Sequence, residues 1–353
     1  MDVSSSTSPL GALDALSEAT GVAFPNLSAA RARTAQRLYA LRGRLQAAPP
    51  TSLLADQGER HSIVLFGSWG RSELTGSSDD DWALVADGAP PQEGERDHLL
   101  AWVGDAVGGG TAAPGAQGLF GTVVSAESLA AHIGLEGDSN RNLTRRILLL
   151  LESVPATGAD VHARAIRRVL DAYLHPSADG GDHKPPRFLL NDLVRYWRTI
   201  AVDFEGKHRA SGHEDPNWVM RNAKLRLSRK MLFAGGLVPV LLCRELTANA
   251  HAAFLAAQFA APPTDRLAAA YLSSEAGGIR DTGARTLAAY DRWVGLLADP
   301  DARREIRGLR RETREHSAAW REVRELGAQF EAGLLALLFG TELAPVSQQY
   351  LVF

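Results

Sequence analysis

Hydrophobic and polar positions alternate most informatively over residues 61–86. An apolar run from Ser62 to Phe66 stops at Gly67, a polar segment follows from Trp69 to Ser78, and Asp79-Asp80-Asp81 leads into the apolar Trp82-Ala83-Leu84-Val85. This reads as strand, glycine turn, loop and second strand. Upstream, Leu27–Ala47 carries a helical pattern of Ala, Leu and Arg that Pro49-Pro50 ends. Arg31, Arg33, Arg37, Arg42 and Arg44 are spread around it and read as a solvated face. Downstream, Glu93–Val107 is predicted as a helix and Leu119–Ser125 as a strand. Asp138, Ser139 and Asn140 offer N-cap chemistry to a helix that runs to about Glu152. Val154-Pro155 and Thr157-Gly158 mark a boundary. Beyond it the pattern is helical: Asp160–Leu174, Phe188–Glu205, Trp218–Gly235, Val238–Ala260, Thr264–Leu272, Gly283–Leu297, and one or two segments across Asp301–Phe339.

The expected fold class is α+β. A helical extension over 1–54 precedes an α/β core with a mixed sheet over 55–155, and an all-α domain fills 158–353. A chain of 353 residues, 45% hydrophobic and 22% charged, can bury a large core and suits two domains. Residues 1–9, rich in Ser, Thr and Pro, read as disordered. Net charge is only −3, so nothing global calls for nucleic acid or membrane binding. One cysteine, Cys243, excludes an internal disulfide framework, and its apolar neighbours mark it as a core residue. The N-terminus lacks the basic and apolar regions of a signal peptide, so a cytoplasmic setting is expected.

Chemistry concentrates where the polar segment meets the second strand. In an extended chain Asp79 and Asp81 project to one side, about 7 Å apart, and Asp80 to the other. Two such carboxylates can share divalent cations, as two-metal phosphoryl transfer requires. Gly67 permits close approach of a phosphate, Ser68 and the following amides can donate to it, and Arg71 can neutralise its charge. Asp80, if buried, needs a donor.

The string Gly67-Ser68-x-Gly70-Arg71-x-Glu73, followed by Ser78-Asp79-x-Asp81 between two apolar strands, resembles the DNA polymerase β-like nucleotidyltransferase superfamily. Within it, the string looks most like the catalytic region of protein-modifying uridylyl- and adenylyltransferases. The likeness covers about a quarter of the chain, and Asp80 departs from a usually apolar position. It implies transfer of a nucleoside monophosphate from an NTP to an acceptor hydroxyl, with Mg²⁺ or Mn²⁺ held by Asp79 and Asp81. Acceptors from protein, small molecule, nucleotide and RNA end all stay open, the first two ahead of RNA. The superfamily often carries a third acid on a neighbouring strand. Leu119–Ser125 has none, and Glu127 is the nearest candidate. A non-catalytic nucleotide sensor is the alternative reading.

Further nucleotide contacts are sought among Arg141, Arg145 and Arg146, whose other reading is ion pairing with Glu136 and Asp138. Lys184 to Lys230 holds eleven Lys and Arg against five Asp and Glu, an excess suited to a triphosphate. Lys224, at the edge of an apolar stripe, is its favoured member. Trp69 and Trp82 could stack on a base, and the ten histidines show no metal-ligand spacing.

Overall fold

The computed structural model describes residues 8–47, 60–88, 90–108, 118–174, 184–210 and 215–352. The expectations for residues 1–7 and for the break at Pro49-Pro50 lie outside that set. In chain order the elements are α1 (Ala12–Thr20), α2 (Pro25–Ala47), β1 (His61–Leu65), β2 (Trp82–Ala86), α3 (Glu93–Gly108), β3 (Val123–Ser125), α4 (Ala126–Ala130), α5 (Asn140–Leu151), β4 (Val154–Pro155) and α6 (Ala159–Tyr173). Then come α7 (Arg187–Ala210), α8 (Trp218–Lys224), a π-helical turn (Leu225–Arg229), α9 (Lys230–Leu242), α10 (Ala248–Phe259), α11 (Pro263–Ser273), α12 (Ile279–Ala298), α13 (Pro300–Gly308), α14 (Ala318–Phe339) and α15 (Ala344–Ser347). The class is α+β, with one small mixed sheet among the described residues.

The chain forms two compact units, Ala30–His175 and Met1–Ala29 with Pro176–Phe353. This division differs from the expected one. The segment read as a separate extension splits inside α2, and α6, assigned to the helical domain, packs on β1 and β2 in the sheet unit.

In the sheet unit the strand order is β3-β2-β1-β4. β1 runs antiparallel to β2 and β4, and β3 runs parallel to β2. Alternation sends Ile63, Leu65, Trp82 and Leu84 to one face, against Leu41 and Leu45 of α2 and Leu99 and Val103 of α3. Phe66, Ala83 and Val85 face the other way, toward Leu129 of α4 and Leu148 and Leu149 of α5. β2 begins only at Trp82, so the three aspartates sit just before the strand. The Phe66 N–H still bonds to the Asp81 carbonyl at 2.9 Å, which extends the ladder to Asp81. β3 is three residues long, shorter than the predicted strand, and Val154-Pro155 is a short edge strand where a boundary was expected. Ser139 caps α5 as predicted, accepting from the Asn142 N–H.

The arginines of α2 are not merely solvated. Arg33 donates to the Leu74 carbonyl, Arg42 to that of Pro155, Arg44 to that of Ala106, and Arg37 pairs with Asp80. They latch the helix over the sheet's first face.

In the helical unit, buried carboxylates far along the chain supply the helix caps. Asp265 of α11 accepts from the N–H groups of Gly11 and Leu13 at the start of α1. Asp291 of α12 accepts from the Leu27 N–H at 2.8 Å at the start of α2. A carboxylate at a helix N-terminus satisfies free N–H groups and complements the dipole. α12 and α14 pack closely, with Gly333 set against Thr286. Gly235-Gly236 and Pro239 do not end α9, contrary to the predicted break near Gly235. That helix is buried on nearly all sides, and its residues from Leu237 to Leu241 are all buried.

Candidate functional site

The turn after β1 is built by Gly67, whose φ of 65° lies in the left-handed region. A Cβ added there would stand 3.2 Å from an Asp81 carboxylate oxygen, so the turn and the aspartate touch. The turn closes through Arg71 N–H to Gly67 O at 3.0 Å and Glu73 N–H to Ser68 O at 2.8 Å. The N–H groups of Gly67 and Ser68 and the Ser68 hydroxyl make no hydrogen bond among the described residues. Unspent donors on a tight turn are the arrangement that receives phosphate oxygens. Asp79 is exposed and likewise makes no hydrogen bond or ion pair among the described residues.

Asp80 turns to the opposite side and finds its donors. Trp69 Nε1–H donates to it at 2.9 Å and an Arg37 terminal nitrogen at 3.2 Å. The Arg37 guanidinium also lies 4.9 Å from the Trp69 ring centroid. Asp80, the departure from the family pattern, therefore fastens the acidic segment to α2. Trp69 and Trp82 are buried in the core, so neither presents a face to a base.

Arg71 is engaged elsewhere than the sequence suggested. It pairs with Glu73 at 2.9 Å and with Glu152 at the C-terminal end of α5, and all three side chains are largely buried. Gly70 rests against the same point, where an added Cβ would fall 1.9 Å from the Glu152 carbonyl oxygen. Arg71 and Gly70 thus clamp the turn to the end of α5. A guanidinium already held by two buried carboxylates is poorly placed to serve a phosphate as well.

Behind this clamp sits His162 of α6. Ser153 Oγ donates to the Leu149 carbonyl, which leaves it to accept from His162 Nε2–H at 2.7 Å. Burial pushes the imidazole pKa down to about 4. The unfolded chain then binds the extra proton between about pH 6.5 and 4, so folding stability falls as pH drops through that window. The loss approaches roughly 3 kcal/mol by pH 4. Urea titrations at pH 7 and pH 4.5 should show a larger drop in midpoint for the native chain than for His162→Gln. Equal drops would place the acid sensitivity elsewhere.

Glu127 does not complete the aspartate pair. The parallel register sets Ser125 beside Ala86, at the far end of β2 from Asp81. Five residues at about 3.3 Å each put roughly 17 Å between Asp81 and that end, and Glu127 lies exposed on α4 beyond it. Extending the same register backwards brings Phe120 opposite Asp81, with its ring 5.4 Å from that of Phe66. Among the described residues no three His, Cys, Asp or Glu side chains gather as a metal-ligand group.

Arg145 donates to the carbonyls of Leu119 at 3.1 Å and Gly118 at 2.5 Å, which fixes the approach to β3. Burial, and secondarily Arg141, lower its pKa. Arg146 is fully buried and joins Asp138, the Tyr173 hydroxyl and the Leu129 carbonyl, so its ion-pairing reading holds. Lys224 belongs to the helical unit, half-buried where α8 passes into the π-helical turn. Sequence reasoning missed Glu152, Gly70 and Arg37. Their partners lie tens of residues away, and only the Gly70-Arg71 pair within the motif hinted at a constraint.

Comparison with protein-family models, with curated proteins and with solved structures finds no match to this chain.

Proposed function

We propose that the chain is a nucleotidyltransferase that moves a nucleoside monophosphate from an NTP to an acceptor hydroxyl. The observation that carries this reading is the contact between the Gly67-Ser68 turn and Asp81, with the turn's donors unspent and Asp79 exposed two positions before Asp81. Two carboxylates without further protein ligands are how proteins commonly hold Mg²⁺ or Mn²⁺, leaving positions for water and substrate phosphates. Asp79 and Asp81 would hold the ion, which when bound neutralises charge developing on the transferring phosphoryl group. The Gly67 and Ser68 N–H groups and the Ser68 hydroxyl would hold the terminal phosphates. Arg71 acts through the turn, keeping it docked on α5, and Asp80 keeps the acidic segment in register. The acceptor oxygen bonds to the α-phosphorus as the bond to pyrophosphate breaks, so positioning supplies much of the rate.

A non-catalytic nucleotide sensor is the second reading, favoured by Phe120 at the position opposite Asp81 where a third acid would complete the set. Incubation with each labelled NTP, Mg²⁺ or Mn²⁺, and protein or small-molecule acceptors separates the two. Pyrophosphate release with label on an acceptor is the expected result. Saturable NTP binding without release would favour the sensor, and no NTP binding would remove both.

A further inference from the structure

The helical unit gathers arginines around one buried tryptophan. Trp218, at the start of α8, is 9% exposed and packs on the rings of Phe204 and His208. The guanidinium carbons of Arg314 and Arg311 stand 4.8 and 5.2 Å from its ring centroid. Arg314 donates to the Arg311 carbonyl and Arg311 to His208 Nε2. One turn along α8, Arg221 pairs with Asp215, and its pKa is lowered by burial and then by the nearby Arg229. Residues 303–314 carry six arginines against two glutamates.

Carboxylates balance this group only in part. Asp215 pairs with Arg221, Asp203 pairs with Lys207 while its charge also favours the Arg221 cation, and Glu315 is shared between Arg324 and Arg314. Arg311 and Arg229 meet no carboxylate among the described residues. Two donors in the cluster, Trp218 Nε1 and Arg221 Nε, are buried without a hydrogen-bond acceptor among the described residues. Buried donors are seldom left so, and crowded guanidinium groups repel. Stacking on an indole fixes a guanidinium plane while its N–H edges stay directed sideways, which presents a fork to an oxyanion.

We infer that Trp218, Arg221, Arg311 and Arg314 form a binding site for a phosphate group of a small polyphosphate or phosphomonoester. A phosphate would bring acceptors to the orphaned donors and negative charge to the unbalanced arginines. The site is built wholly from residues of the helical unit.

Calorimetric titration in Mg²⁺-free buffer at constant ionic strength tests it, with inorganic phosphate, pyrophosphate and ATP as separate probes. Saturable binding of at least one probe, accompanied by a change in tryptophan fluorescence that Trp218→Phe removes, is expected. Arg311→Gln with Arg314→Gln should weaken the binding that Trp218 fluorescence reports at least tenfold. Tighter binding of ATP than of pyrophosphate would identify a nucleotide as the source of the phosphate; parity would identify a free polyphosphate. If the double variant fails to fold by circular dichroism, Arg311→Gln alone decides, since that side chain is exposed. The inference fails if no probe binds at millimolar concentration, or if chloride at matched ionic strength displaces the probes equally well. It fails also if the arginine variants bind as the native chain does, or if single-stranded RNA binds and the small anions do not.

Discussion

Asp79→Asn and Asp81→Asn should each cut pyrophosphate release by about 10³-fold or more, on the scale seen when a single group stabilising the transition state is lost. Both substitutions preserve size and remove one of the negative charges that would draw the metal to the turn. Asp79 is exposed and has no protein partner among the described residues, so its loss removes no packing. The melting temperature without metal should stay level or rise slightly, because neighbouring carboxylates repel. Asp80→Asn separates register from chemistry. It keeps an acceptor for Trp69 Nε1 and loses only the charge facing Arg37, which is 38% exposed and therefore well screened. It should cost about 1 kcal/mol of stability and leave most of the activity. Release rates under saturating NTP and Mg²⁺ are the measurement. An inactive Asp80→Asn beside an active Asp79→Asn would overturn the assignment.

Gly70→Ala should destabilise the sheet unit by roughly 3 kcal/mol or more, through overpacking against a rigid backbone. The added methyl would meet the Glu152 carbonyl at 1.9 Å and the Ser153 nitrogen at 2.6 Å, and neither can swing aside as a side-chain tip could. Relief requires the turn or the end of α5 to move, which also disturbs the Arg71 clamp between them. A fall in melting temperature on the order of 10 °C follows for a unit of this size. Gly76→Ala is the matched control, since a methyl there meets nothing within 4 Å and φ is not positive. Thermal unfolding of the two variants side by side decides the matter: a Gly70→Ala curve that overlays the Gly76→Ala curve would mean the close approach is not real.

What the sequence disclosed, it disclosed through local signals. β1 and β2 are apolar runs with a glycine at the turn, and α5 begins at a serine cap, so all three could be read from neighbours in the chain. β4 is only two residues long and depends on pairing with β1, so no periodicity could announce it. The single long helix predicted across 238–260 breaks at Cys243, because tertiary packing rather than glycine or proline decides where a fully buried helix turns. At the candidate site the aspartates and the turn were legible as a motif. The fate of Arg71 was not, since Glu152 lies 81 positions away, and Glu127 could be placed only once the register of β3 on β2 was known.

The interrupted helical unit also sets an order of events during synthesis. Distant partners within the sheet unit, such as Arg42 and Pro155, are 113 positions apart, so that unit has its contacts once residue 175 has emerged. α1 and the first turn of α2 must wait far longer, because the carboxylates that cap them lie 254 and 264 positions downstream. At bacterial or eukaryotic elongation rates the delay beyond the completion of the sheet unit is roughly ten seconds. For that interval Leu13 and Leu16, both buried in the finished protein, have no core to enter. The N-terminal segment is therefore the part of the nascent chain that needs shielding, and the sheet unit is the part that can mature first.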